Sequence, residues 1–183
     1  MPPMASMREV MAETIALERK TMALYAGFYR AFAGDPRLRD FWFAMARDEA
    51  GHVGALELVS TVLEVDNSLD KPSPVSLDNV SIRRLRELLE SASRDAAGRI
   101  STERALTIAL EIEESEIEDL VGELLGAVQD EREHQRYQRL LVHDLGDLSY
   151  MIEHYCQDQA LLQRCDALVN RHAEALRRAS AIP

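Results

Sequence analysis

With 183 residues, 46% of them hydrophobic and 29% charged, the chain has the composition of one globular domain and not of a disordered segment. Its formal net charge of −11 argues against binding to a nucleic-acid backbone, which needs basic surface to displace counterions. Aromatics are only 5%, while Ala, Leu, Glu and Arg abound, so the expected class is all-α.

Met1 to Met7 carries no apolar stretch of the secretory type, and no apolar run approaches the roughly 20 residues that span a bilayer, so neither export nor a membrane partner is expected and the cytoplasm is the expected address. The first helix begins at a capping box, Ser6 with Glu9 three residues on, and is expected to reach about Ala33. Gly34, Asp35 and Pro36 stop it and start a second helix, with Asp35 as N-cap and Pro36 at the first helical position, running to about Val65. So short a turn makes the two helices antiparallel. Residues 66–79 hold turn-formers and two prolines and read as a connection. A short amphipathic helix follows from Ser81 to about Arg94, with Ile82, Leu85, Leu88 and Leu89 on one side, and Gly98 ends that region. Ser101 caps a third long helix expected to reach about Leu125, interrupted at Gly122 and Gly126. Asp130 opens a fourth to about Leu145, and Gly146 with Asp147 marks the start of a fifth, ending near Ala179. On that reading Cys156 and Cys165 lie about 13 Å apart along one helix and cannot pair.

The plan is one domain over residues 1–183: a hairpin (1–65), a long crossover containing the short helix (66–100), a second hairpin (101–145) and an extra C-terminal helix (146–183). One long crossover is the ferritin-like arrangement of a four-helix bundle.

Carboxylates stand where leucines are expected. The second helix's apolar stripe reads Leu38, Phe41, Met45, Glu49, His52, Leu56, Val59, Leu63. The first reads Met11, Ile15, Glu18, Met22, Tyr25, Phe32; the third reads Leu106, Ala109, Glu113, Ile117, Leu120, Leu124. In the fourth, Glu131 and His134 precede Leu141 and Leu145 on one face. Buried carboxylates without compensation cost several kcal/mol or keep a proton, and cations supply that compensation. A single Glu-x-x-His match is weak, because chance supplies such pairs; two in the order Glu, Glu-x-x-His, Glu, Glu-x-x-His are more specific. Glu111, Glu114, Glu118 and Glu123 read as a solvated face, and His143, His154 and His172 as surface or packing residues. Trp42 and Phe43 read as core or dimer contacts.

Through Ala-Leu-Glu-Arg at 16–19, Arg-Asp-Glu-Ala-Gly-His at 47–52, Ala-Leu-Glu-Ile-Glu-Glu at 109–114 and Asp-Glu-Arg-Glu-His at 130–134, the chain resembles the rubrerythrin and bacterioferritin branch of the ferritin-like family, over about Met7 to Leu145. The resemblance implies two metal ions, iron first, with manganese or a mixed pair satisfying the same ligands. It makes Glu18 and Glu113 terminal ligands, Glu49 and Glu131 bridging carboxylates, and His52 and His134 the nitrogen ligands. Tyr25 becomes the tyrosine that tunes a ligand during catalysis, and Glu116 an extra carboxylate. The activity implied is an oxidoreductase reacting with O2 or peroxide, a peroxidase or ferroxidase, working as a homodimer.

Leu120 stands where the matching tyrosine of the second half belongs, and no cysteine pairs of rubredoxin type occur, so the electron donor is a separate protein. Glu18 to Glu49 spans 31 residues but Glu113 to Glu131 only 18, which makes the second hairpin roughly 10 Å shorter beyond the site, or makes Glu111, Glu114 or Glu116 the third-helix ligand. Two other readings stay open: an iron-binding protein for storage or delivery with little turnover, and a metal-free helical interaction module.

Overall fold

The structure, a computed structural model, describes residues 5–96, 100–115, 120, 124 and 131–180, apart from the side chains of 96, 131–138, 179 and 180. Its described residues are helical and contain no strand: α1 (Met7–Ala31), α2 (Pro36–Val65), α3 (Val80–Ala96), α4 (Thr102–Glu113), α5 (Glu131–Tyr155) and α6 (Gln159–Ser180). Gly98, Gly122, Gly126 and Asp130, where turns are expected, lie outside the described residues.

The helix starts follow the local chemistry of the sequence. Glu9 Oε2 accepts the Ser6 backbone N–H at 2.8 Å while Ser6 Oγ accepts that of Glu9 at 3.3 Å, the reciprocal capping box. The first turn of α1 has a second support. Met7 N–H donates to the Lys71 carbonyl (2.9 Å) and Arg8 N–H to that of Leu69 (2.8 Å), while Ser73 N–H returns a bond to Ala5 (2.8 Å). N–H groups that a helix start leaves orphaned are thus satisfied by the crossover. Asp35 caps α2 by accepting from Arg37 N–H (3.0 Å) and Leu38 N–H (3.1 Å), with Pro36 at the first helical position. Ser101 caps α4 by accepting from Arg104 N–H at 3.2 Å. At the other end of α2, Asn67 adopts a φ of 53°, the left-handed conformation that ends helices and that Asn tolerates better than most residues.

α1 and α2 pack along their lengths as an antiparallel hairpin, α3 lies against α1, and α4 against α5. Near the hairpin turn Trp42 is fully buried, its ring centroid 4.8 Å from both Phe28 and Phe41 and 5.7 Å from Tyr25. Trp42 is therefore core. Phe43 is exposed and meets Tyr29 at 5.8 Å. The inward face of α1 is centred on Leu17, Thr21, Leu24 and Phe28, which leaves Ile15, Met22 and Phe32 half-buried at its edge. Burial on α4 reaches almost all round, through Ala105, Leu106, Ile108, Ala109, Leu110, Ile112 and Glu113, as for a helix enclosed by its neighbours.

Two expectations are corrected. The helix begun at Thr102 ends at Glu113 with Glu114 as its C-cap, although Leu120 and Leu124 are again helical and buried. The fourth helix does not stop at Leu145: α5 continues through Gly146 and Asp147 to Tyr155, and the break falls at 156–158. Leu141, Leu145, Leu148, Met151 and Ile152 form one buried face across the glycine. Burying such side chains is worth about 1.5–3 kcal/mol each, against roughly 1 kcal/mol for a helical glycine. The true break is set by Asp158, whose Oδ1 accepts from Ala160 N–H (2.8 Å) and Leu161 N–H (3.2 Å). Cys156 lies in this break and Cys165 on α6, so they do not share a helix, and both are free thiols. Tyr155 at the end of α5 donates its hydroxyl to the Asp35 carboxylate at 2.9 Å, tying α5 to the cap of α2.

Gly146 has no positive φ, and a Cβ added there meets nothing within 4 Å. Gly146→Ala is therefore expected to stabilise the protein by about 0.5–1 kcal/mol, raising Tm by roughly 1–4 °C. A lowered Tm in thermal unfolding would return the chain to a break at Gly146.

Candidate metal centre

Glu18 on α1 and Glu49 on α2 are both buried. They face each other because the α1–α2 turn lies at 32–35, nearly midway between them in sequence. His52, one turn beyond Glu49, brings Nδ1 to 3.4 Å from Glu49 Oε2 and 3.5 Å from Glu18 Oε2. One donor atom from each of the three residues lies within 4.8 Å of the others.

These separations are informative. Donors bound at about 2.1 Å to one ion, at angles between right and tetrahedral, stand roughly 3.0–3.4 Å apart. Both oxygens of Glu18 and Oε2 of Glu49 are buried and make no hydrogen bond among the described residues. Unpaired anionic oxygens in the interior are expensive, and two carboxylates facing one imidazole leave an excess of negative charge. Burial first, and then the charge of Glu18, push the Glu49 carboxyl well above the usual carboxylate range, with His52 opposing. A retained proton on Glu49 is the metal-free way to relieve the site; a divalent cation is the other. The donor set, two carboxylates and an imidazole, suits iron, manganese or zinc.

A small cleft of about 10 Å³ opens beside this triad between α2, α4 and α5, lined by Met45, Asp48, Glu49, His52, Glu113, Leu141 and Asp144. Glu113, the last residue of α4, thus belongs to the same site as Glu49 and His52. The neighbouring glutamates are engaged elsewhere: Glu111 faces Arg104 at 3.5 Å and Glu114 pairs with Arg164 at 2.6 Å. Tyr25 is buried two turns along α1 from Glu18, against Phe28 and Trp42. Glu116 and the side chains of Glu131 and His134 lie outside the described residues. His143 is exposed beside Asp144, and His154 stacks on Tyr150 with ring centroids 6.0 Å apart.

Sequence reasoning missed Asp48 and Asp144. Asp144 is half-buried, and its carboxyl is raised by burial and then by the charge of Asp48 on the facing helix. Its signal in the sequence is faint, a carboxylate next to the stripe residue Leu145, because which residues of α5 meet α2 depends on the register between those helices.

Compared with protein-family models, with curated proteins and with solved structures, the chain matches none.

The raised Glu49 carboxyl fixes the sign of a pH effect. Between its unfolded and folded pKa values the native state binds the extra proton, so stability is full below the ordinary carboxylate range and is lost as pH rises through the folded value. In chelator-treated protein, Tm is expected to fall as pH rises above the ordinary carboxylate range, and Glu49→Gln to flatten that fall. Identical slopes for the two proteins would place Glu49 in a solvated or fully paired setting.

Proposed function

We propose that this chain is a ferritin-like di-metal carboxylate protein, an oxidoreductase of rubrerythrin type that reacts with O2 or peroxide. The observation that carries the reading is the meeting of the buried Glu18 and Glu49 with the half-buried His52, one donor atom of each within 4.8 Å of the others. In this reading those three hold the first cation with Glu113 beside them, and Glu131 and His134, with Glu116, supply donors to a second. The motif order Glu, Glu-x-x-His, Glu, Glu-x-x-His supports it, as does a short-turned α1–α2 hairpin followed by a long connection. When bound, a pair of iron ions would supply the electrons for reducing the oxidant, and a separate donor protein would restore them.

The chain's own residues do the rest. Glu18 and Glu49 neutralise the cations inside a water-poor core, where electrostatic attraction is strongest. The proton that Glu49 holds in the metal-free state leaves when a cation binds, so binding is favoured by rising pH. Leu141 and Met45 give the cleft part of its lining as apolar surface. Tyr25, packed against Trp42, is the candidate for tuning a ligand from α1.

A second reading, a binding protein that stores or delivers a metal with little turnover, would use the same three donors, Glu18, Glu49 and His52.

Freshly purified protein is expected to carry iron or manganese on elemental analysis, and His52→Ala to weaken its affinity at least about tenfold. Reduced, iron-loaded protein mixed with peroxide should oxidise stoichiometrically. Iron that binds but does not oxidise favours storage or delivery, whereas protein that takes up neither metal removes both readings.

A further inference from the structure

The cleft beside Glu49 and His52 is graded in exposure. Asp48 and Asp144 at its mouth are 28% and 26% exposed, His52 19%, and Glu49 5%, with Glu18 behind them at 1%. Carboxylates thus lead inward from solvent to the buried donors. The mouth pair comes from facing helices, Asp48 from α2 and Asp144 from α5, and the two negative charges oppose each other. Like charges across a helix contact cost stability and contribute nothing to packing, so the pair is not explained by the fold. Their ion-pair partners among the described residues are peripheral, and His52 inside the cleft also acts on Asp144. Arg47 meets Asp48 at 3.1 Å and His143 meets Asp144 at 3.3 Å, and both partners are largely exposed, where ion pairs are weak and easily exchanged. At the inner end, Glu49 Oε2 is buried and lacks a hydrogen-bond partner among the described residues.

Size adds a second argument. A cleft of about 10 Å³ admits roughly one water-sized body, whereas a hydrated divalent ion carries several waters of about 30 Å³ each. The ion must shed its shell before it reaches Glu49. Oxygen donors at the mouth replace departing waters and lower the barrier to that loss.

We propose that Asp48 and Asp144 form the entry station of the metal site, a paired-carboxylate mouth that captures a hydrated divalent cation and passes it inward to Glu49 and His52. The inference rests on the reading that the buried donors hold a cation, and adds how that cation arrives. It makes Asp48 and Asp144 determinants of loading rate and not of final occupancy.

The test is Co2+ uptake by the full-length, chelator-stripped protein, followed by stopped-flow absorbance, in wild type, the Asp48→Asn and Asp144→Asn double variant, and a Glu87→Gln and Glu90→Gln control. The control removes equal charge from the exposed face of α3. The double variant should load at least about tenfold more slowly at low ionic strength, with the difference shrinking in salt. Its bound Co2+ at saturation and its circular dichroism should match wild type. Loading within about twofold of wild type, equal slowing in the control, or loss of bound Co2+ in the double variant would each overturn the entry role while leaving the buried site in place. A wild-type protein that binds no Co2+ removes the metal reading itself.

Discussion

Glu18 and Glu49 lie inside a helical hairpin with their oxygens turned toward each other and toward His52, and most of what is distinctive in this molecule depends on that arrangement. Two negative groups in the interior lose the water that would solvate them, and an imidazole at 3.4–3.5 Å is too distant to replace it with good hydrogen bonds. The site is therefore stable with a proton or a cation and costly with neither. Charge as well as size sets what the cleft accepts.

Holding such groups together demands a rigid frame, and the hairpin supplies one. Caps fix the starts of α1 and α2, and the aromatic cluster around Trp42 fills the space near the turn. Exposed ion pairs, such as Arg8 with Asp70 at 2.7 Å and Arg19 with Glu57, decorate the outside and add little energy. The burden falls on buried apolar faces: α1 against α2 and α3, and α5 against α4 and α6.

What could be read from the sequence follows from the range of each interaction. Ser6 with Glu9, Asp35 with Pro36, and Ser101 are signals contained within one turn, and each helix they mark begins where they stand. Glu18, Glu49 and His52 were legible because a polar residue at helical spacing inside an apolar stripe has few structural explanations. Gly146 misled because its local cost is outweighed by the buried face from Leu141 to Ile152, a sum over a whole helix. Asp48 and Asp144 were invisible for a further reason. Their meeting depends on the register of α5 against α2, which the periodicity of neither helix encodes, and the stretch from Glu114 to Asp130 that precedes α5 contains two glycines.

The bonds from Met7 and Arg8 to the carbonyls of Lys71 and Leu69 join stretches some sixty residues apart in the chain. Undocking of the crossover strips α1 of satisfied donors at its first turn, and fraying of that turn frees the crossover in exchange. The two segments therefore open as one cooperative unit, and amide exchange at Met7 and Arg8 becomes a local gauge of whether the far strap is seated.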